Sequence, residues 1–304
     1  MKKIIFLFLF FSQLVLGKCP DGFVKVPANK KLLVNKPFCV MKFSAKAESF
    51  KEKRIEMLGC SQMDCKKKNW ARLYDEKTGG EGYRPISVPQ GLPWRAIDFE
   101  TAKKACSNLG KGYALINNYE WMTIANNIEG VDENWSGNKV GVGFLNRGHS
   151  DGSPDHPCDS SLENIDKDCS TQGKDFHQKR THKLSNGEII WDIAGNTWEW
   201  VDWKVSFGKK AAPADAWVEF SRLRPEIETG KKMNKNMFTS LNNPHYSSRQ
   251  NIGKYWSESP KTSESVAIRG ARWRHNQDSG IYALDLSVDP KLGGKTIAFR
   301  CVKR

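Results

Sequence analysis

Asp192-Ile193-Ala194-Gly195-Asn196-Thr197-Trp198-Glu199-Trp200 is the stretch on which the reading of this chain turns. It follows Glu188-Ile189-Ile190-Trp191, which reads as a strand. Gly195 lets the backbone turn its carbonyl inward, and Asn196 can brace that turn through local hydrogen bonds. Trp198 and Trp200 anchor the loop in a core. Calcium wants roughly six to eight hard oxygens from carboxylates, carbonyls and waters, and such a turn offers oxygens of that kind. The plainer reading has the carboxylates of Asp192 and Glu199 capping turns or pairing with Lys or Arg, without an ion.

Upstream, Phe23-Val24-Lys25-Val26-Pro27 and Phe38 to Phe43 read as two strands joined by a turn. A basic, polar segment, Lys46 to Lys68, follows, and Lys66 to Lys68 reads as a solvated loop. Asp98 is a plausible N-cap for a helix whose face is Phe99, Ala102, Cys106 and Leu109, stopped by Gly110. Asn117 or Asn118 caps a second helix with the stripe Trp121, Ile124, Ala125 and Ile128, stopped by Gly130. Residues 137–187 are rich in Gly, Asn, Asp and Ser. A chain that is ordered yet so irregular needs disulfides or ions to hold it. Downstream, residues 203–265 are polar, and Val266 to Trp273, Ile281 to Val288 and Thr296 to Val302 read as closing strands.

With 304 residues, 38% hydrophobic and 27% charged, the chain is neither disordered nor collagenous nor a multi-span membrane protein. Lys2, Lys3 and the apolar run from Ile4 to Leu16 read as a signal peptide, residues 1–17, ahead of one domain at 18–304. Lys18 before Cys19 argues against a lipoprotein. Export to the periplasm, the cell surface or the medium follows. Removing two lysines from the +14 total leaves a basic mature chain of +12, a balance that steers polyanions or simply keeps a protein soluble. Eight cysteines in an exported chain imply disulfides. Cys60 and Cys65, and Cys158 and Cys169, lie near one another in sequence. A zinc set of His149, His156, Cys158 and Cys169 competes, but its spacing fits no ribbon or finger. His177 and His182, flanking Lys179 and Arg180, read as exposed histidines. No hydrolase elbow, zinc-protease helix, EF-hand loop or intact P-loop is present.

The segments, in order, resemble the formylglycine-generating (sulfatase-modifying-factor) family, a variant of the C-type-lectin-like fold. Leu115-Ile116-Asn117-Asn118-Tyr119-Glu120-Trp121 resembles its L-P-T-x-x-E-W, and Asp192 to Trp200 its D-x-x-G-N-x-W-E-W. Arg269-Gly270-Ala271-Arg272-Trp273 and Phe299-Arg300-Cys301 resemble its R-G-G-S-W and G-F-R-C. The implied fold is α+β, irregular, with antiparallel strands, two main helices, disulfide ties and a loop-rich insertion at about 203–265.

The resemblance implies a Cys106–Cys301 bridge; elimination and proximity then suggest Cys19–Cys39, Cys60–Cys65 and Cys158–Cys169. It also implies a structural calcium held by Asp192, Gly195, Thr197 and Glu199. The family's copper-dependent oxidases bind Cu(I) through two cysteines five residues apart, aligned here at or beside His275 and Gly280. No cysteine lies between Cys169 and Cys301, and thiolates are what select Cu(I), so no copper and no oxidase chemistry are expected.

Two functions remain. One is a non-catalytic binding module that takes an anionic glycan, a lipopolysaccharide or a protein through its late loops. The contacts expected are Arg274, His275, Asn276, Gln277, Asp278 and Tyr282, with Tyr246, Tyr255, Trp256 and Trp273 as further aromatic candidates. The other is a superfamily enzyme with a divergent metal centre near His275 and Asp278.

Overall fold

Alternating burial builds the first strand pair. In the computed structural model β1 (Phe23–Val26) buries Val24 and Val26 and pairs antiparallel with β2 (Phe38–Met41). The structure describes residues 17–56, 82–160, 175–206, 216–222, 235–257 and 264–304. The chain continues through β3 (Lys46–Ser49), β4 (Ile55–Glu56), β5 (Tyr83–Ile86), helix α1 (Phe99–Ser107), β6 (Tyr113–Leu115) and helix α2 (Asn118–Glu129). After the irregular segment come β7 (Thr181–Lys183), β8 (Ile189–Trp191), β9 (Trp198–Ser206), β10 (Ala216–Val218) and β11 (Tyr255–Ser257). The closing strands are β12 (Glu264–Arg269), β13 (Leu284–Val288), β14 (Ile297–Ala298) and β15 (Cys301–Lys303).

Both helices start where the capping chemistry places them. Asp98 accepts from the Thr101 amide at 2.7 Å, and Asn117 with Glu120 forms a complete capping box, each cap worth about 1 kcal/mol. Phe99, Ala102 and Cys106 are buried beside Trp200, whose indole donates to the Ile97 carbonyl at 2.9 Å. Trp121, Ile124, Ala125 and Ile128 are fully buried, and the Trp121 indole donates to Ile281.

The strands form sheets ordered β1-β2-β15-β6, β10-β11-β13-β12-β9-β14, β4-β3-β5 and β7-β8. All described pairings are antiparallel except β11 with β13 and β14 with β9. The run expected as one strand from Thr296 to Val302 is two: β14 joins the six-stranded sheet and β15 the four-stranded one. Arg300 stands at the crossing, which fixes it between both sheets. The polar stretch 203–265 contributes two strands, β10 and β11, to the larger sheet.

Cys106–Cys301 and Cys19–Cys39 are bonded, as expected. The first spans 195 residues, and in the chain-entropy model such a loop is worth about 5 kcal/mol. Cys158 is disulfide-bonded too, which takes it out of any zinc set. The pairing expected for Cys169 and that of Cys60–Cys65 lie outside the described residues, as does the expected signal segment up to residue 16. Among the described residues no helix is long and apolar enough to cross a membrane.

Candidate functional site

The loop between β8 and β9 places demands on the backbone at three positions. Asp192, Gly195 and Asn196 all have positive φ, at 54°, 73° and 61°. A Cβ at Gly195 would lie 2.4 Å from the His149 carbonyl oxygen and 2.8 Å from that of Arg147, so only glycine fits against the 147–149 segment. Asn196 is fully buried. Its Oδ1 accepts from the Cys158 amide at 2.7 Å and its Nδ2 donates to the Cys158 carbonyl at 3.2 Å.

The two carboxylates of this loop are each held by a buried arginine. Arg180 Nε and Nη2 both donate to Asp192 at 2.6 Å, one to each oxygen. Arg300 Nε and Nη2 donate to Glu199 at 2.6 and 2.5 Å, with Ser44 Oγ at 2.8 Å. All four side chains are shielded from solvent. Burial alone would raise the Asp192 carboxyl, but the Arg180 guanidinium, with Lys46 and Arg300 near, holds it below its ordinary value. The Gly195 carbonyl accepts from its own loop, at Thr197 N, 2.8 Å. This donor set does not fit calcium: both carboxylates are saturated by cations, and one expected carbonyl already accepts within the turn.

The turn after β12 is placed where the sequence put it, although only part of it is open. Arg274 is exposed and paired with Asp155. Asn276, exposed, accepts from Arg147 at 2.7 Å, and Gln277 is exposed beside it. Asp278 lies 2.8 Å from Lys254 Nζ. Tyr282 does not belong to this surface. It is fully buried and donates to Glu129 Oε2 at 2.6 Å, a core bond that leaves it no ligand to touch. Tyr255 and Trp273 are core as well, at 1% and 4% exposure. Tyr246 is half-buried against Trp135.

His275 is the centre of an aromatic group that the sequence did not assemble. Its ring lies 5.3 Å from Trp198 and 5.0 Å from Trp217, edge to face. Trp217 stacks on Trp198 at 6.1 Å and meets Trp256 edge-on at 5.4 Å. Trp217 and Trp256 are direct partners across β10 and β11, which puts both rings on one face. Trp198 starts β9, well across the same sheet, so the sheet curls to close the group. Both Trp217 and Trp256 are half-buried. Arg272 Nε lies 3.2 Å from His275 Nε2; burial, then this guanidinium, pushes the imidazole down to about 3. The guanidinium at Nε2 takes the lone pair that a metal would need there and sets a positive charge beside it. Trp217 was missed because β10 is three residues long, too short for alternation to register.

The other histidines correct the sequence reading. His182 is fully buried with Nε2 3.1 Å from the Asn146 carbonyl. His177 lies flat on Phe144 at 3.9 Å, and Arg180 between them is core. Gly280, aligned with the second copper thiol, is packed against backbone: a Cβ there would lie 2.2 Å from Gly253 N and from Ile252 C. A cavity of about 420 Å³ lies elsewhere, against Leu32, Leu33, Tyr119, Trp203 and Met237.

A family model described as the sulfatase-modifying factor enzyme 1-like domain matches residues 17–304. Among solved structures, PvdO from Pseudomonas aeruginosa is similar at 14% identity and a TM-score of 0.39, over 93% of this chain and 91% of that one. The U1 and I1 variants of the major tropism determinant are each similar at 11% identity and a TM-score of 0.37, over 94% of this chain. This chain spans about half of their length, 53%. A search of the curated proteins finds no match.

Proposed function

Because the chain belongs to the sulfatase-modifying factor enzyme 1-like family, we propose that it is an exported, non-catalytic member whose aromatic face binds an anionic glycan. One observation carries this reading: Trp217, Trp256 and His275 are half-buried beside one another at the turn following β12, backed by the buried Trp198. Rings present the flat apolar face on which sugar C–H groups stack. Arg272 lies against His275, and the exposed Arg274, paired with Asp155, stands two residues along the same turn; guanidinium groups are donors suited to carboxylate or sulfate groups. The net charge, +14 for the full sequence and +12 without the two signal-segment lysines, favours association with polyanions. A divergent metal centre near His275 has less support, since Arg272 faces its ring and the neighbouring Asp278 lies against Lys254.

The test is affinity electrophoresis against heparin, polygalacturonate and neutral dextran. Retardation by an anionic polysaccharide that survives 0.3 M salt supports stacking as well as charge, because charge contacts alone fade with screening. No retardation by any of the three, or loss of all binding with salt, contradicts the proposal.

A further inference from the structure

We propose that two guanidinium groups, those of Arg180 and Arg300, take the place of a divalent cation at the β8–β9 loop, so that the fold is held there without a metal. The reason is the kind of oxygen each one gathers. Arg300 donates to both oxygens of Glu199, to the carbonyls of Met41 and Trp191 at 3.1 Å, and more weakly to Asp192 O and Ser44 Oγ at 3.4 Å. Arg180 donates to both oxygens of Asp192, to the carbonyls of Asp159 and Cys158 at 2.6 and 3.2 Å, and to Ser160 Oγ at 3.1 Å. Carboxylates, backbone carbonyls and a hydroxyl drawn from separate segments are the ligand set of a structural calcium. Here each set surrounds a planar cation supplied by the chain.

The two arginines also do a calcium ion's mechanical task. Arg300 ties β2, the Ser44 bend, the end of β8 and β9. Arg180 ties the irregular 158–160 segment to Asp192. Segments with few ladder bonds of their own are thereby fixed to the sheets. A third cation, Lys46, is fully buried in the same region with no hydrogen-bond partner for its Nζ among the described residues. Asp192, Glu199 and the nearby Asp159 are matched by Arg180, Arg300 and Lys46, which leaves no net negative charge to draw a divalent ion into a site of low dielectric.

The experiment is a thermal melt of the purified chain with EDTA, with calcium and with neither, alongside elemental analysis of wild type and Glu199→Gln. The midpoint is expected to agree within about 1 °C in all three buffers. Glu199→Gln leaves Arg300 as an unpaired buried charge and is expected to melt about 10 °C lower whether or not calcium is added. If that variant fails to fold, the wild-type melts alone decide. A wild-type midpoint that falls in EDTA and recovers with calcium overturns the inference. So does stoichiometric calcium that Glu199→Gln loses. Calcium that the variant retains is bound elsewhere and leaves the inference standing.

Discussion

The Asn196 side chain pairs with the Cys158 backbone in both directions, accepting its amide at 2.7 Å and donating to its carbonyl at 3.2 Å. One buried side chain thus supplies what a neighbouring strand would supply. Asn196→Ala strands the Cys158 amide, while the carbonyl keeps the Arg180 guanidinium at 3.2 Å, and a buried backbone group left unsatisfied costs about 1–3 kcal/mol. The left-handed backbone at this position adds strain for alanine. A melting point lower by roughly 8 °C is expected by calorimetry; a wild-type midpoint would mean that the loop is not fastened to residue 158.

Lys46 gives stability a pH dependence of known sign. Burial pushes its amine from 10.5 down to about 7, with Asp192 opposing the shift. In the unfolded chain the amine titrates at its ordinary value. Between pH 7 and 10.5 the unfolded state therefore holds the extra proton, and stability rises with pH by about 1.4 kcal/mol per unit. Below pH 7 both states are protonated and the full cost of burying the charge stands. In urea unfolding, the stability of Lys46→Met minus that of wild type is expected to fall by about 2 kcal/mol from pH 7 to 9. A difference that stays constant shows a lysine charged throughout.

Gly280 tests the packing that separates this chain from a copper enzyme. Its Cβ position is filled by the backbone of Ile252 and Gly253. Gly280→Cys and Gly280→Ala are both expected to lose about 3 kcal/mol or more, since backbone cannot give way as a side-chain tip can. Adding His275→Cys to Gly280→Cys is expected to give no copper binding in a Cu(I) competition assay. A stable double variant that takes up one copper would return the oxidase reading.

The scaffold was legible because its signals are local. The capping residues Asp98 and Asn117, the stripe from Trp121 to Ile128 and the turn at Gly195 and Asn196 each announce themselves within a few positions. What tertiary contact decides was not legible. Lys46 opens a segment that reads as basic and polar, yet it is core. Tyr282 reads as a loop aromatic, yet Glu129, 153 positions earlier, holds it inside. Pairing with Lys or Arg was one of the two readings for Asp192 and Glu199, but nothing in the sequence picks out Arg180 as a partner. The aromatic face unites Trp198, Trp217, Trp256 and His275 from four separate segments, and no spacing rule joins them.

The measurement that bears most directly on the proposed function is the affinity of Trp217→Ala/Trp256→Ala for whichever anionic polysaccharide retards the wild type, by titration calorimetry at 0.15 M salt. Both rings are half-buried on the two strands at one end of the sheet, β10 and β11, so the double variant is expected to fold, with an unchanged far-ultraviolet circular dichroism spectrum as the control. Loss of one aromatic anchor costs about 2 kcal/mol at a binding surface, so affinity is expected to fall about 30-fold if a single ring touches the ligand and further if both do. A folded double variant that binds as tightly as wild type would contradict the account, because the ligand would then rest on some other surface.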